Sequence, residues 1–275
     1  MNWPSKTKLL FQQIRYQLLM FWRTPVALFF TLALPLIMLV LFNALFGNQT
    51  VTIEGGEWPV RQFYTGGLAV FTAVSATYTN LANMVPIRRE EGVLKRWRST
   101  PLPTGAYIGG FIGSALVLAL IGTVLMLLIG VVFYDLDIDA AKMPAAALTF
   151  VVGVSSFAAL GMAVAALVPS ASSAGAVANA TILPLAFISN VFIVTGDDAP
   201  GWMTTVGNFF PLRPFVESFQ DAFNPFVEAP AFNWYELYYV ALWGVGGMIV
   251  AVKFFTWEAK PGGSTTRRRR AADAR

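Results

Sequence analysis

Six stretches of the chain carry no charge and are apolar for long enough to cross a bilayer, which takes about 20 helical residues. They cover residues 25–46, 63–86, 106–134, 144–168, 175–195 and 237–252. The sixth is the shortest, but Lys253 can snorkel while Phe254, Phe255 and Trp257 extend the apolar surface into an interfacial belt. The pattern predicts an all-α polytopic membrane protein of six transmembrane helices. The first stretch is too long for the core of a signal peptide and reads as an uncleaved span.

Residues 1–24 have a different pattern from the six apolar stretches. Between Lys6 and Arg23, Leu10, Ile14, Leu18 and Trp22 recur on one side of a helix, and Lys8, Gln12, Arg15 and Arg23 on another. Such a helix lies in the membrane interface ahead of the first span, or serves as a plain topogenic anchor. Residues 25–257 form one membrane domain and 258–275 a basic tail, where Arg267–Arg270 make a patch attracted to anionic lipid. Gly109 with Gly113, and Ala159 with Ala163, have the small-xxx-small spacing of closely packed helices. The neutral polar groups within spans, among them Asn43, Asn80, Asn83, Asn179 and Asn190, are expected to bond between helices.

Charge fixes an orientation. If odd-numbered spans run outward, 16 of the 19 Lys and Arg fall on the inner side, leaving Arg61, Lys142 and Arg213 outside. The positive-inside rule then puts both ends of the chain in the cytoplasm. Only 12% of residues are charged, and there is no cysteine or histidine, which removes disulfides, thiolate nucleophiles, histidine bases and most zinc sites. Asp135, Asp137 and Asp139 read as a solvated acidic turn or a weak cation site, so no metal site is assigned. No Gly-x-x-x-x-Gly-Lys-Ser/Thr loop occurs, and no charged group sits within a span. ATP hydrolysis on this chain and ion coupling through titratable groups are therefore both disfavoured.

Two connections carry candidate function. From Pro86 to Tyr107, a short helix at about 87–99 is expected, with Pro86 near its start, Glu90 and Glu91 in its first turns, Lys95, Arg96 and Arg98 toward its end, and Pro101 beyond. Val93, Leu94 and Trp97 form an apolar face, and Glu91, Lys95 and Arg98 align at i, i+4 and i+7. Charges of both signs around an aromatic anchor suit docking on another protein. In the external connection, at about 201–226, Pro211 and Pro214 divide two short helical pieces. The second has an aromatic face of Phe215, Phe219 and Phe223 and an acidic face of Glu217 and Asp221.

The first of these connections resembles that of the membrane subunits of ABC-2 type ATP-binding-cassette exporters, which reads roughly Arg-Glu-x-Gly-x-Leu-x-Arg-x-x-x-Thr-Pro. Arg89, Glu90, Gly92, Leu94, Arg96, Thr100 and Pro101 match it. The resemblance covers essentially the whole chain and is nearest to bacterial drug and antibiotic exporters, with polysaccharide exporters more distant. It implies an ABC-2, type V exporter-like transmembrane domain in a bacterial cell membrane. It further implies that Glu90, Glu91, Gly92, Lys95, Arg96, Trp97, Arg98, Thr100 and Pro101 form a coupling helix against a separate ATPase subunit. ATP and magnesium would sit on that partner, with no cofactor on this chain, and a second permease copy or paralogue would complete the pathway. Membrane lipids are the remaining partners, and no nucleic acid is expected. The external segment, with Pro211, Pro214, Phe215, Glu217, Phe219 and Asp221, would be a re-entrant gate, unless it is an amphipathic pair resting on the outer leaflet. The substrate implied is hydrophobic or amphipathic: a drug, an antibiotic, a lipid or a glycolipid. The competing reading is a secondary transporter or membrane scaffold.

Overall fold

The computed structural model describes residues 5–53, 56–99, 103–193 and 200–257. Arg98 has a described backbone only, and Thr100, Pro101 and the basic tail lie outside the described residues.

Helix α1 (Lys6–Trp22) is followed by α2 (Pro25–Phe46), which contains a π-helical segment at Phe29–Ala33. A hairpin of β1 (Thr50–Ile53) and β2 (Gly56–Pro59) leads into α3, residues 60–90. Then come α4 (Val93–Arg98), α5 (Thr104–Tyr134), α6 (Met143–Leu167), α7 (Ala171–Ile188), α8 (Gly201–Phe209), α9 (Leu212–Gln220) and α10 (Trp234–Phe254). Among the described residues, five helices are long and apolar enough to cross a membrane: Pro25–Phe46, Gly105–Tyr134, Met143–Leu167, Ala171–Ile188 and Trp234–Phe254.

The stretch 63–86 is different in kind. It lies inside α3, the central helix of the bundle, where every residue from 63 to 78 is buried. Its side chains meet protein, so the selection for apolarity that acts on a lipid-facing helix is relaxed. Thr65, Thr72, Ser75 and Thr77 occupy this core. Their polarity is satisfied locally, since the Thr65, Thr72 and Thr77 hydroxyls each donate to the carbonyl four residues back. Asn43 and Asn83 likewise bond to Leu39 and Thr79 of their own helices rather than across to neighbours. The i−4 carbonyl has a spare lone pair within reach whatever packs alongside. Bonds that cross between helices include those between the Tyr78 and Thr181 hydroxyls (2.6 Å), from Thr123 to the Ala69 carbonyl (3.3 Å) and, as expected for that residue, from Asn190 to Glu217 (2.8 Å).

Small residues set the close approaches. At Ser75–Thr79 α3 widens into a π turn, and the Tyr78 carbonyl there would lie 2.6 Å from a β-carbon on Gly161 of α6. Gly244 and Gly247 let α10 lie along the Ser156–Leu160 face of α6, which includes the buried Ala159. The Gly109/Gly113 pair takes α1 rather than another span: Leu10 packs on Gly109, Gln13 on Gly110 and Ile14 on Gly113. The buried stripe of α1 is accordingly Gln13, Gln17 and Phe21, one residue round from the expected apolar side, and Trp22 is 51% exposed.

Candidate functional site: a basic clasp and an acidic cap

The helices bring the two candidate segments to opposite ends of the bundle. At the basic end α3 does not stop at Pro86, as the sequence suggested. Pro86 lies inside α3, which continues through Glu90 and leaves Arg88 and Arg89 in its last turn. Glu91 and Gly92 make the turn, with Gly92 left-handed at φ 69°, a conformation that glycine adopts without the steric cost of a β-carbon. The expected single helix is thus the end of one helix and a separate six-residue α4. A β-carbon on Gly92 would touch nothing within 4 Å, so φ alone requires glycine there.

This break sends Arg89 and Glu90 to different helix ends. Arg89, 2% exposed, donates to the carbonyls of Ala165 (3.2 Å) and Val168 (2.7 Å) at the end of α6. The Glu90 carboxylate accepts from the Ala171 N–H (2.8 Å) in the first turn of α7. A cation on the carbonyl end of one helix and an anion on the N–H end of the next both suit the helix dipoles. Ser170 caps α7 through a reciprocal bond with Ser173. The serine turn and the loop before α4 are therefore one clasp, and Glu90 is committed to its own chain.

Helix α4 rests on this base by its apolar face. Leu94 is buried, and Trp97 stacks on Tyr107 with ring centroids 5.2 Å apart. Glu91, Lys95 and Arg96 are exposed on the other edge. Of the predicted docking residues, the structure brings Glu91, Lys95 and Arg96 to one surface and takes Glu90 and most of Trp97 inward. The sequence marks Arg89 only as a topological cation within the family pattern, and its place beside Glu90 is the one signal of its structural part.

At the acidic end, the chain breaks between α8 and α9 at Phe210–Pro211, and Pro214 falls in the first turn of α9. Phe215, Phe219 and Phe223 are all buried, and Phe215 stacks on Phe157 of α6 with centroids 5.9 Å apart. The aromatic face of α9 is turned into the bundle. Gly153 leaves the space that the Phe215 ring fills.

The polar side of α9 is tied down by Arg213, Lys142 and Asn190, which the sequence marked only as outer cations and an intramembrane amide, and by Gln220, which it did not single out. Glu217 accepts from Arg213 (2.6 Å) and from Asn190 (2.8 Å) at the end of α7. Gln220 donates to the Phe63 carbonyl of α3 (3.1 Å), and buried Lys142, before α6, donates to the Asn224 carbonyl (2.8 Å). Asp135 pairs at the surface with Arg61 (3.5 Å).

Burial raises the Asp221 carboxyl to about 6, with Glu217 adding to the rise and the Asn233 hydrogen bond and Lys142 opposing it. Folding therefore favours the protonated acid. Its stabilising contribution is complete below about pH 4 and is lost as pH rises through about 6. Asp221→Asn is expected to remove that loss and raise stability at pH 8 by about 1–3 kcal/mol, with little change at pH 4. Thermal unfolding in detergent at the two pH values measures it. Equal effects at both would show that Asp221 is charged throughout.

A family model described as ABC-2 type transporter matches residues 8–224, from α1 through α9. The chain is also 29% identical over 202 residues to the "Putative transport permease ycf38" of Cyanophora paradoxa, covering 71% of this chain and 67% of that relative. The family match takes in both the clasp and the cap, which are thus parts of one recognised architecture rather than additions to it. The chain belongs to the ABC-2 type transporter family and is a transporter membrane subunit.

Proposed function

We propose that this chain is the permease subunit of an ATP-driven exporter, powered by a separate ATPase subunit and paired with a second permease copy or paralogue. The observation that carries the reading is α4. Its apolar face is fixed on Leu94 and Trp97, its base is clasped by Arg89 and Glu90, and its Glu91/Lys95/Arg96 edge is left exposed. A load on that edge passes directly to the ends of α3, α6 and α7, the geometry needed to turn ATPase closure into helix movement. On this reading α3 is the sixth membrane-crossing helix, α1 lies in the interface, the basic end faces the cytoplasm and the cap closes the far end. An almost wholly apolar groove of about 540 Å³ between α5 and α6, walled by Leu120, Val124, Leu127, Phe150 and Val151 and reaching Phe219, fits a hydrophobic or amphipathic substrate.

Glu91→Lys combined with Lys95→Glu and Arg96→Glu reverses the exposed edge without touching the clasp. Co-purification with the co-expressed ATPase subunit is expected to fall at least about tenfold, since each reversed contact costs about 1 kcal/mol or more. Membrane insertion and thermal stability should stay unchanged. Undiminished co-purification and ATP-dependent transport would refute the coupling assignment.

A further inference from the structure

A recess of about 530 Å³ opens at the basic end, between α1, the end of α3, α4 and the start of α5. Two guanidinium groups, Arg23 and Arg88, line it, and among the described residues no acidic one does. Arg88 is poorly partnered. One of its nitrogens faces the thioether of Met20 at 3.0 Å, a weak acceptor, another lies 3.7 Å from the Glu91 carboxylate, and Nε is buried with no partner. Tyr107 also lines the recess, is 2% exposed, and its hydroxyl is buried without a partner. Leaving such donors unpaired costs about 1–3 kcal/mol each, more for a charged group. Two of them beside a cationic recess point to an anion acceptor with several oxygens.

Position decides which anion. Arg23 stands two residues before the apolar helix Pro25–Phe46, and Tyr107 lies in the first turn of Gly105–Tyr134. The recess is therefore level with lipid headgroups, and Leu19, Met20, Val93 and Trp97 give it an apolar rim suited to glycerol and the upper acyl chain. A soluble anion has no use for that rim. We propose that this recess binds an anionic phospholipid, with the phosphate held by Arg23, Arg88 and the Tyr107 hydroxyl. The lipid wedges α1 against α4 and so stiffens the coupling surface from the membrane side. Which leaflet it comes from depends on the orientation proposed above, but the site does not.

The test is native mass spectrometry of the delipidated full chain, titrated with phosphatidylglycerol or with phosphatidylcholine of the same acyl chains. Phosphatidylglycerol should remain bound at collision energies that strip phosphatidylcholine. Tyr107→Phe and Arg88→Gln should each weaken its binding roughly five- to tenfold, while Lys6→Gln, a cation of α1 outside the recess, should leave it unchanged. Equal retention of the two lipids, or an equal loss in Lys6→Gln, would overturn the site. Full competition by millimolar inorganic phosphate would overturn the lipid assignment, because the apolar rim would then contribute nothing. If Arg88→Gln does not fold, Tyr107→Phe and Arg23→Gln carry the comparison. Binding is read without ATPase or transport, so its failure and that of the exporter reading are distinguishable.

Discussion

Replacing Arg89 with methionine is expected to lower unfolding stability by about 3 kcal/mol and to abolish transport. Methionine fills much of the volume but offers no donor, so the carbonyls of Ala165 and Val168 lose a charged partner in a site that is 2% exposed. Those carbonyls end α6, where the helix dipole is negative and the lost cation acts most strongly. The clasp then keeps the Glu90 bond to Ala171 but loses its bonds to the end of α6, and the base of α4 is weakened. Thermal unfolding in detergent, beside a transport assay in vesicles, measures both effects. Arg89→Lys should recover part of the stability, since one ammonium can serve only part of what the guanidinium fork spans. If Arg89→Met unfolds like the parent chain, the clasp is not what holds this end together.

The second large effect belongs to the cap. Gly153→Ala places a methyl in the space of the Phe215 ring, which is 1% exposed and stacked on Phe157, so it cannot turn aside within its pocket. Either α9 moves away from α6 or the rings repack, and overpacking of this kind costs about 1–3 kcal/mol. Because α9 also carries the Glu217 and Gln220 bonds to α7 and α3, its displacement strains the whole acidic end. Phe215→Leu alone leaves a void. Combined with Gly153→Ala it should cost less than the two changes added together, since the new methyl partly fills the space that the ring vacates. Strict additivity in thermal unfolding would mean that the two sites are independent, against the observed packing.

The break after Pro86 shows where sequence reasoning reaches its limit. Charges and prolines place a short helix near 87–99, and an amphipathic helix is there at Val93–Arg98. The residues before it are misassigned because proline marks a helix start from local sterics, whereas α3 runs past Pro86 to take Arg89 to the end of α6. That gain is a contact with a residue 76 positions away, invisible to any window. The apolar side expected of α1, Leu10, Ile14, Leu18 and Trp22, differs from its buried stripe of Gln13, Gln17 and Phe21 for a related reason. Hydropathy favours the leucines and isoleucine, but the bare backbone at Gly110 lets Gln13 press in at that point.

The sequence by itself determined that the chain is a multi-pass helical membrane protein, where five of its apolar helices lie and which two connections deserve a functional test. These come from solvent transfer, helix period and charge counting, all properties of short segments. Tertiary structure alone decided the rest: that α3 is the buried centre, that Glu90 holds its own chain while Glu91, Lys95 and Arg96 face outward, and that the aromatic face of α9 turns inward. The physical reason is that an ionic or aromatic side chain gains most where its partner is already fixed and desolvated, and such partners come from helices far apart in sequence.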